Sequence, residues 1–73
     1  MKLSELNVGE TATVAAINGE QSLVSRLETL GIVKGVKVTL IRVAPFGDPL
    51  EIKVRDFYLA IRVRTADKIT VVL

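Results

Sequence analysis

The chain has 73 residues, 49% of them hydrophobic and 25% charged, with a formal net charge of +2. A single hydrophobic core is all this length holds, and burial of only about 60% of the unfolded surface leaves modest stability. With no Cys and no His, disulfides, thiolate or imidazole metal sites, catalytic triads and Cys–His dyads are excluded.

The opening stretch from Leu3 to Glu10 is apolar at Leu3, Leu6 and Val8 and breaks at Gly9, which predicts one helical turn before the first strand. Thr11 to Ile17, rich in Thr, Val and Ala, is that strand. Its inward set is Ala12, Val14 and Ala16, or the alternate register ending at Ile17; period alone leaves both open. Asn18-Gly19 ends the strand, and Asn18, three residues before Gln21, is placed to cap a helix. The helix shows Leu23, Val24, Leu27 and Leu30, the spacing of one buried face. Gly31 stands where a left-handed C-terminal cap is wanted, and Ile32 supplies its closing hydrophobic contact.

Beyond Val33-Lys34-Gly35 the chain reads as strands. Val36 to Leu40 alternates, then Ile41, Arg42 and Val43 invert the pattern, which requires a bulge or sharp bend at 40–42. Pro45-Phe46-Gly47-Asp48-Pro49 is the densest turn signal, Pro fixing φ and Gly admitting positive φ. Leu50 to Val54 alternates cleanly, so one face is buried and one wet. Arg55-Asp56 connects it to a strand over Phe57 to Arg62, with Leu59 and Ile61 inward and Ala60 and Arg62 outward. Thr65-Ala66-Asp67-Lys68 reads as a brief turn, and Ile69 to Leu73 as the last strand.

Five short strands cannot make two covered sheets at this length. The predicted fold is mainly β: residues 1–73 form a single domain, an SH3-like small five-stranded antiparallel barrel with one α-helix inserted between strands 1 and 2. No apolar run approaches about 18 residues, so no membrane insertion is expected. Met1-Lys2-Leu3-Ser4-Glu5 has no apolar h-region, and the expected location is cytoplasmic.

Charge is uneven: residues 1–36 hold three basic and four acidic side chains, residues 37–73 seven and four. Arg42, Lys53, Arg55, Arg62 and Arg64 therefore define an alternative function, a nucleic-acid-binding small β-barrel. Because acids intersperse these residues and no basic run occurs, a mixed-sign solvated surface is favoured and no nucleic acid is expected as partner. The available oxygen ligands, Asp48, Glu51, Asp56, Asp67 and the remaining glutamates, are scattered beside basic neighbours. No metal site, cofactor or catalytic residue is assigned, and no enzymatic activity is expected.

Three stretches in order carry a resemblance: Arg26-Leu27-Glu28-Thr29-Leu30-Gly31-Ile32 with Gly35, then Ala44-Pro45-Phe46-Gly47-Asp48-Pro49-Leu50-Glu51-Ile52, then Leu59-Ala60-Ile61-Arg62 with Ala66 and Ile69. Together with Leu3, Leu6 and Gly9-Glu10, they resemble the FeoA family of ferrous iron transport protein A over essentially the whole chain. The segment Pro45 to Pro49 is the most specific piece. One departure is Lys34-Gly35, where the family commonly has Pro-Gly. The resemblance implies an SH3-like barrel with a helical insertion and a family-level association with transition metal ion binding. It also implies a free-standing accessory of the membrane ferrous iron transporter FeoB, acting on that protein's cytoplasmic GTP-binding portion; related domains end metal-dependent transcription repressors.

Two segments hold costly surface features. Pro45, Phe46, Gly47, Asp48 and Pro49 form either a rigid turn or a presented loop, and two prolines lower the entropy lost on docking. Phe46 is an aromatic anchor at its tip or a ring folded back onto the barrel mouth. Arg26, between the members of the apolar stripe, is a solvated arginine or a contact to the transporter. Ile41 and Val43 make a further apolar strip if they face outward. Leu27, Leu30, Leu59 and Ile61 are assigned to the core, and Gly31 and Gly35 to turns.

Overall fold

A 3-10 turn at Leu3–Glu5 precedes β1 (Thr11–Ile17), α1 (Gln21–Thr29), β2 (Lys37–Val43), β3 (Leu50–Val54), β4 (Phe57–Ile61), α2 (Val63–Ala66) and β5 (Ile69–Val72) in the computed structural model, which describes all 73 residues. The strands pair antiparallel in the order β4-β3-β2-β1-β5. Val14, Val38, Ile52, Ile61 and Val71, one from each strand, belong to a single cluster of 16 buried residues. A sheet whose five strands share one core must curl around it.

Two bulges supply the curl. In β2, Leu40 pairs with Ile52 and Arg42 with Glu51, so Ile41 is the extra residue. That is the inversion at 40–42, and a bulge locally increases twist. In β1, Val14 pairs with Val71 and Ala16 with Thr70, leaving Ala15 between them. Ala12 and Val14 are buried before this bulge, whereas after it Ala16 is exposed and Ile17 packs on the core. Both registers left open by period are therefore used, one on each side of the bulge.

The outer edge of β5 is covered by the start of the chain. Lys2 bridges to Thr70, the Met1 amino group donates to the Val71 carbonyl at 3.1 Å, and the Val71 N–H donates back to Met1 at 2.7 Å. Leu3 is fully buried beneath this seam, and the Ser4 hydroxyl donates to the Asp67 carboxylate.

Helix α1 ends as its sequence predicts. Gly31 has φ +95°; its N–H donates to Glu28 and the Ile32 N–H to Leu27, both at 3.0 Å, and Ile32 is fully buried. This is the paired hydrogen bonding of a Schellman motif. The start differs from expectation. Glu20, not Asn18, occupies the N-cap and makes no side-chain cap bond. Asn18 is held by the sheet instead, donating its N–H to the Lys68 carbonyl at 2.7 Å and its Nδ2 to Thr70 Oγ1 at 3.3 Å.

The buried stripe of α1 is also narrower than predicted. Leu27 is buried and Leu23 and Val24 are half-buried, but Leu30 is 42% exposed. Leu30 is the C-cap residue, one step past the last helical turn, and α1 rests on the rim of the core. Leu59 is half-buried and Ile61 buried. The predicted turn at Thr65–Lys68 is a correction too: Val63–Ala66 forms α2, with Arg62 as its N-cap and Ala66 fully buried. No helix is long and apolar enough to cross a membrane.

Candidate partner-binding surface

The β2–β3 connection is built by turn chemistry. Gly47 N–H donates to the Ala44 carbonyl at 2.8 Å, and Ala44 N–H to the Pro49 carbonyl at 3.0 Å. Pro45 thus takes the second position of a β-turn and Gly47 the fourth, positions those residues favour. The third position is Phe46, whose side chain is 100% exposed. A wholly solvated ring in a turn closed by hydrogen bonds is not core packing, so the fold-back alternative for Phe46 does not occur.

Past the tip, Asp48 is anchored to the chain that follows β4. Its Oδ1 accepts the Val63 N–H at 3.1 Å, capping α2 and tying the loop to the segment that follows the neighbouring strand β4. Pro49, joined to Asp48 by a cis peptide bond, is half-buried.

Arg26 lies on the exposed side of α1 and lines a groove of about 550 Å³ between α1 and α2. Asp48 lines the same groove, so the structure brings two of the sequence-predicted docking residues together. Phe46 does not line it. Four basic side chains, Arg26, Arg62, Arg64 and Lys68, face two acidic ones, Glu20 and Asp48. Sequence reading grouped Arg62, an outward strand residue, with Arg64 as candidate nucleic-acid contacts and placed Lys68 in a turn. The signal for the groove was the spacing of basic residues around Ala66, which becomes one surface only once α2 forms.

The other members of the basic set are dispersed. Arg42 pairs with Glu51 across the β2–β3 ladder at 3.8 Å; such an exposed pair stabilises little. Lys53 Nζ lies 5.9 Å from the Tyr58 ring centroid, a weak cation–π contact at a wet site. Arg55 sits in the two-residue β3–β4 turn at φ 55°. Ile41 is half-buried in its bulge, while Val43 is exposed beside the Phe46 turn.

Comparison with known proteins gives a consistent picture. A family model described as the FeoA domain matches residues 1–73. The chain is 33% identical over 73 residues to the Fe(2+) transport protein A/Fe(2+) transporter FeoB fusion protein of Porphyromonas gingivalis, all of this chain corresponding to 9% of that much longer protein. The solution structure of FeoA from Chlorobium tepidum superposes with a TM-score of 0.94 at 41% identity, covering 100% of this chain and 70% of that one. A crystal structure of Stenotrophomonas maltophilia FeoA complexed with zinc, described as a prokaryotic SH3 domain protein, superposes with a TM-score of 0.83 at 32% identity, covering 97% of this chain and 88% of that one. With an SH3-like five-stranded sheet, a helix between its first two strands and a family match along its whole length, the chain belongs to the FeoA family, which is associated with ferrous iron transport.

Proposed function

We propose that this protein is a cytoplasmic accessory and regulator of bacterial-type ferrous iron uptake, binding the cytoplasmic GTP-binding portion of an FeoB-type transporter. The docking surface joins Arg26 on α1 to the loop of Pro45, Phe46, Gly47, Asp48 and Pro49. The observation that carries this reading is the fully exposed Phe46 ring on a turn that Pro45 stiffens. An aromatic anchor presented at low entropic cost is a typical energetic centre of an interface. The Porphyromonas gingivalis relative, whose name joins transport protein A and FeoB in one polypeptide, adds support, since linkage keeps two modules at high effective concentration. The task needs no catalytic step and no cofactor from this chain.

Calorimetric titration against the transporter's cytoplasmic portion, with and without GTP, tests it. Phe46→Ala is expected to weaken binding roughly thirtyfold, about 2 kcal/mol. The fold should persist, because a wholly solvated side chain contributes nothing to the core. Lys53→Ala should change affinity by less than about twofold. Normal binding by a folded Phe46→Ala protein would move the docking surface elsewhere, with the Ile41–Val43 strip next in line.

A further inference from the structure

The groove between α1 and α2 is a net-cationic trough whose basic side chains the fold leaves without ion pairs. Arg26 comes from α1, Arg62 from the N-cap of α2, Arg64 from α2 itself, and Lys68 from the turn into β5. The one ion pair in the molecule is Arg42 with Glu51, so none of these four is paired. All four are exposed. Four cations against two carboxylates leave the groove net positive, and an anionic ligand relieves the repulsion that remains.

We infer that this trough seats an acidic peptide segment, one rich in Asp or Glu, contributed by the protein partner; the inference rests on the docking function proposed above. Three observations favour carboxylates on a peptide over nucleic acid. Leu23 is the only hydrophobic residue in the lining and no aromatic residue joins it, whereas single-stranded nucleic acid binds on aromatic stacking platforms. Glu20 and Asp48 stand in the walls and oppose a continuous row of phosphates. A peptide tolerates them, because its backbone N–H groups can donate to carboxylates between its own acidic side chains. Finally, Asp48 is two residues from Phe46, at most about 7 Å of chain. A segment leaving the trough at that end reaches the aromatic anchor directly, so one partner can engage both.

The test uses the whole protein and a fluorescein-labelled octapeptide of alternating Glu and Ser, read by anisotropy at low salt. A single-stranded oligonucleotide of equal charge serves as the second probe. The wild type should bind the peptide, and Arg62→Glu/Arg64→Glu should lose at least tenfold in affinity. Lys34→Glu/Lys37→Glu alters net charge identically outside the trough and should stay within about threefold. Should charge reversal unfold α2, Arg64→Gln gives a loss of about threefold in a folded protein. Absence of peptide binding, equal losses in both double variants, or tighter binding of the oligonucleotide each overturns the inference. The same variants titrated against the transporter portion separate the two proposals. If that portion binds wild type and Arg62→Glu/Arg64→Glu alike, the trough inference fails and the docking function stands. If it binds neither while the peptide shows the expected dependence, the docking function fails alone.

Discussion

Gly31 carries two constraints, and their magnitudes decide which matters. Its φ of +95° is a conformation that L side chains rarely adopt, and a Cβ there would lie 3.0 Å from Phe57 Cζ and 4.0 Å from Val54 Cγ1. The Phe57 ring is 39% exposed and can swing outward, so the contact is cheap to relieve. The backbone strain is not relieved by any neighbour and costs about 1–2 kcal/mol. Gly31→Ala is therefore expected to lose about 1–2 kcal/mol in urea unfolding, and adding Phe57→Ala to recover less than about 0.5 kcal/mol of it. Full recovery would mean that the clash, not φ, sets the cost. The position of Gly31 was legible because a Gly closing a helical stripe has one common use. Its contact with Phe57 was not, because that depends on how the β3–β4 hairpin brings Phe57 back beside Val54. Phe46 shows the same division: the turn is written in its prolines and glycine, whereas the ring's full exposure emerges only from where the turn points.

At the scale of elements, α2 is closed at its start by another part of the chain. Four residues cannot establish a helical period, and the capping group normally sits immediately before the helix. Here Arg62 holds the N-cap without a side-chain bond, and the Val63 N–H is satisfied by Asp48, 15 positions earlier. Asp48→Ala should cost about 1 kcal/mol, lowering the thermal midpoint by about 4–8 °C, while Asp48→Asn keeps an acceptor oxygen and most of the stability. Unchanged melting of the alanine variant would show that the bond is not maintained in solution. The longer elements were readable for the opposite reason. The inversion at Ile41 called for a bulge or a sharp bend in a strand, of which the bulge is found, and Leu50–Val54 alternates as a strand with one wet face. Burial depth was not readable for α1, since a leucine at helical spacing has the same sequence signature at the rim of a core as at its centre. Leu30 fell on the wrong side of that distinction. The trough inherits the difficulty: with α2 invisible, Arg62, Arg64 and Lys68 had no common surface to belong to.

For the whole molecule, the placement of charge bears on whether iron is handled by this chain itself. Its eight acidic residues form no group of three carboxylates close enough to hold an ion. The two that share the trough wall, Glu20 and Asp48, face four cations, which raise the cost of bringing in a divalent ion. Asp48 is further committed to Val63 and Glu51 to Arg42. Ferrous iron is held well by imidazole or by several convergent carboxylates, and neither donor set occurs here. Anaerobic calorimetry of the protein with ferrous iron should therefore give no saturable one-to-one isotherm below about micromolar Kd; weak heats that scale with total metal are the expected trace. A sub-micromolar stoichiometric site would overturn this, and its loss in a Glu20→Gln or Asp48→Asn variant would locate it in the trough. Under the function proposed above, a protein without such a site would act on iron uptake through protein contacts. The exposed aromatic ring and the net-cationic trough are the features of this surface suited to making them.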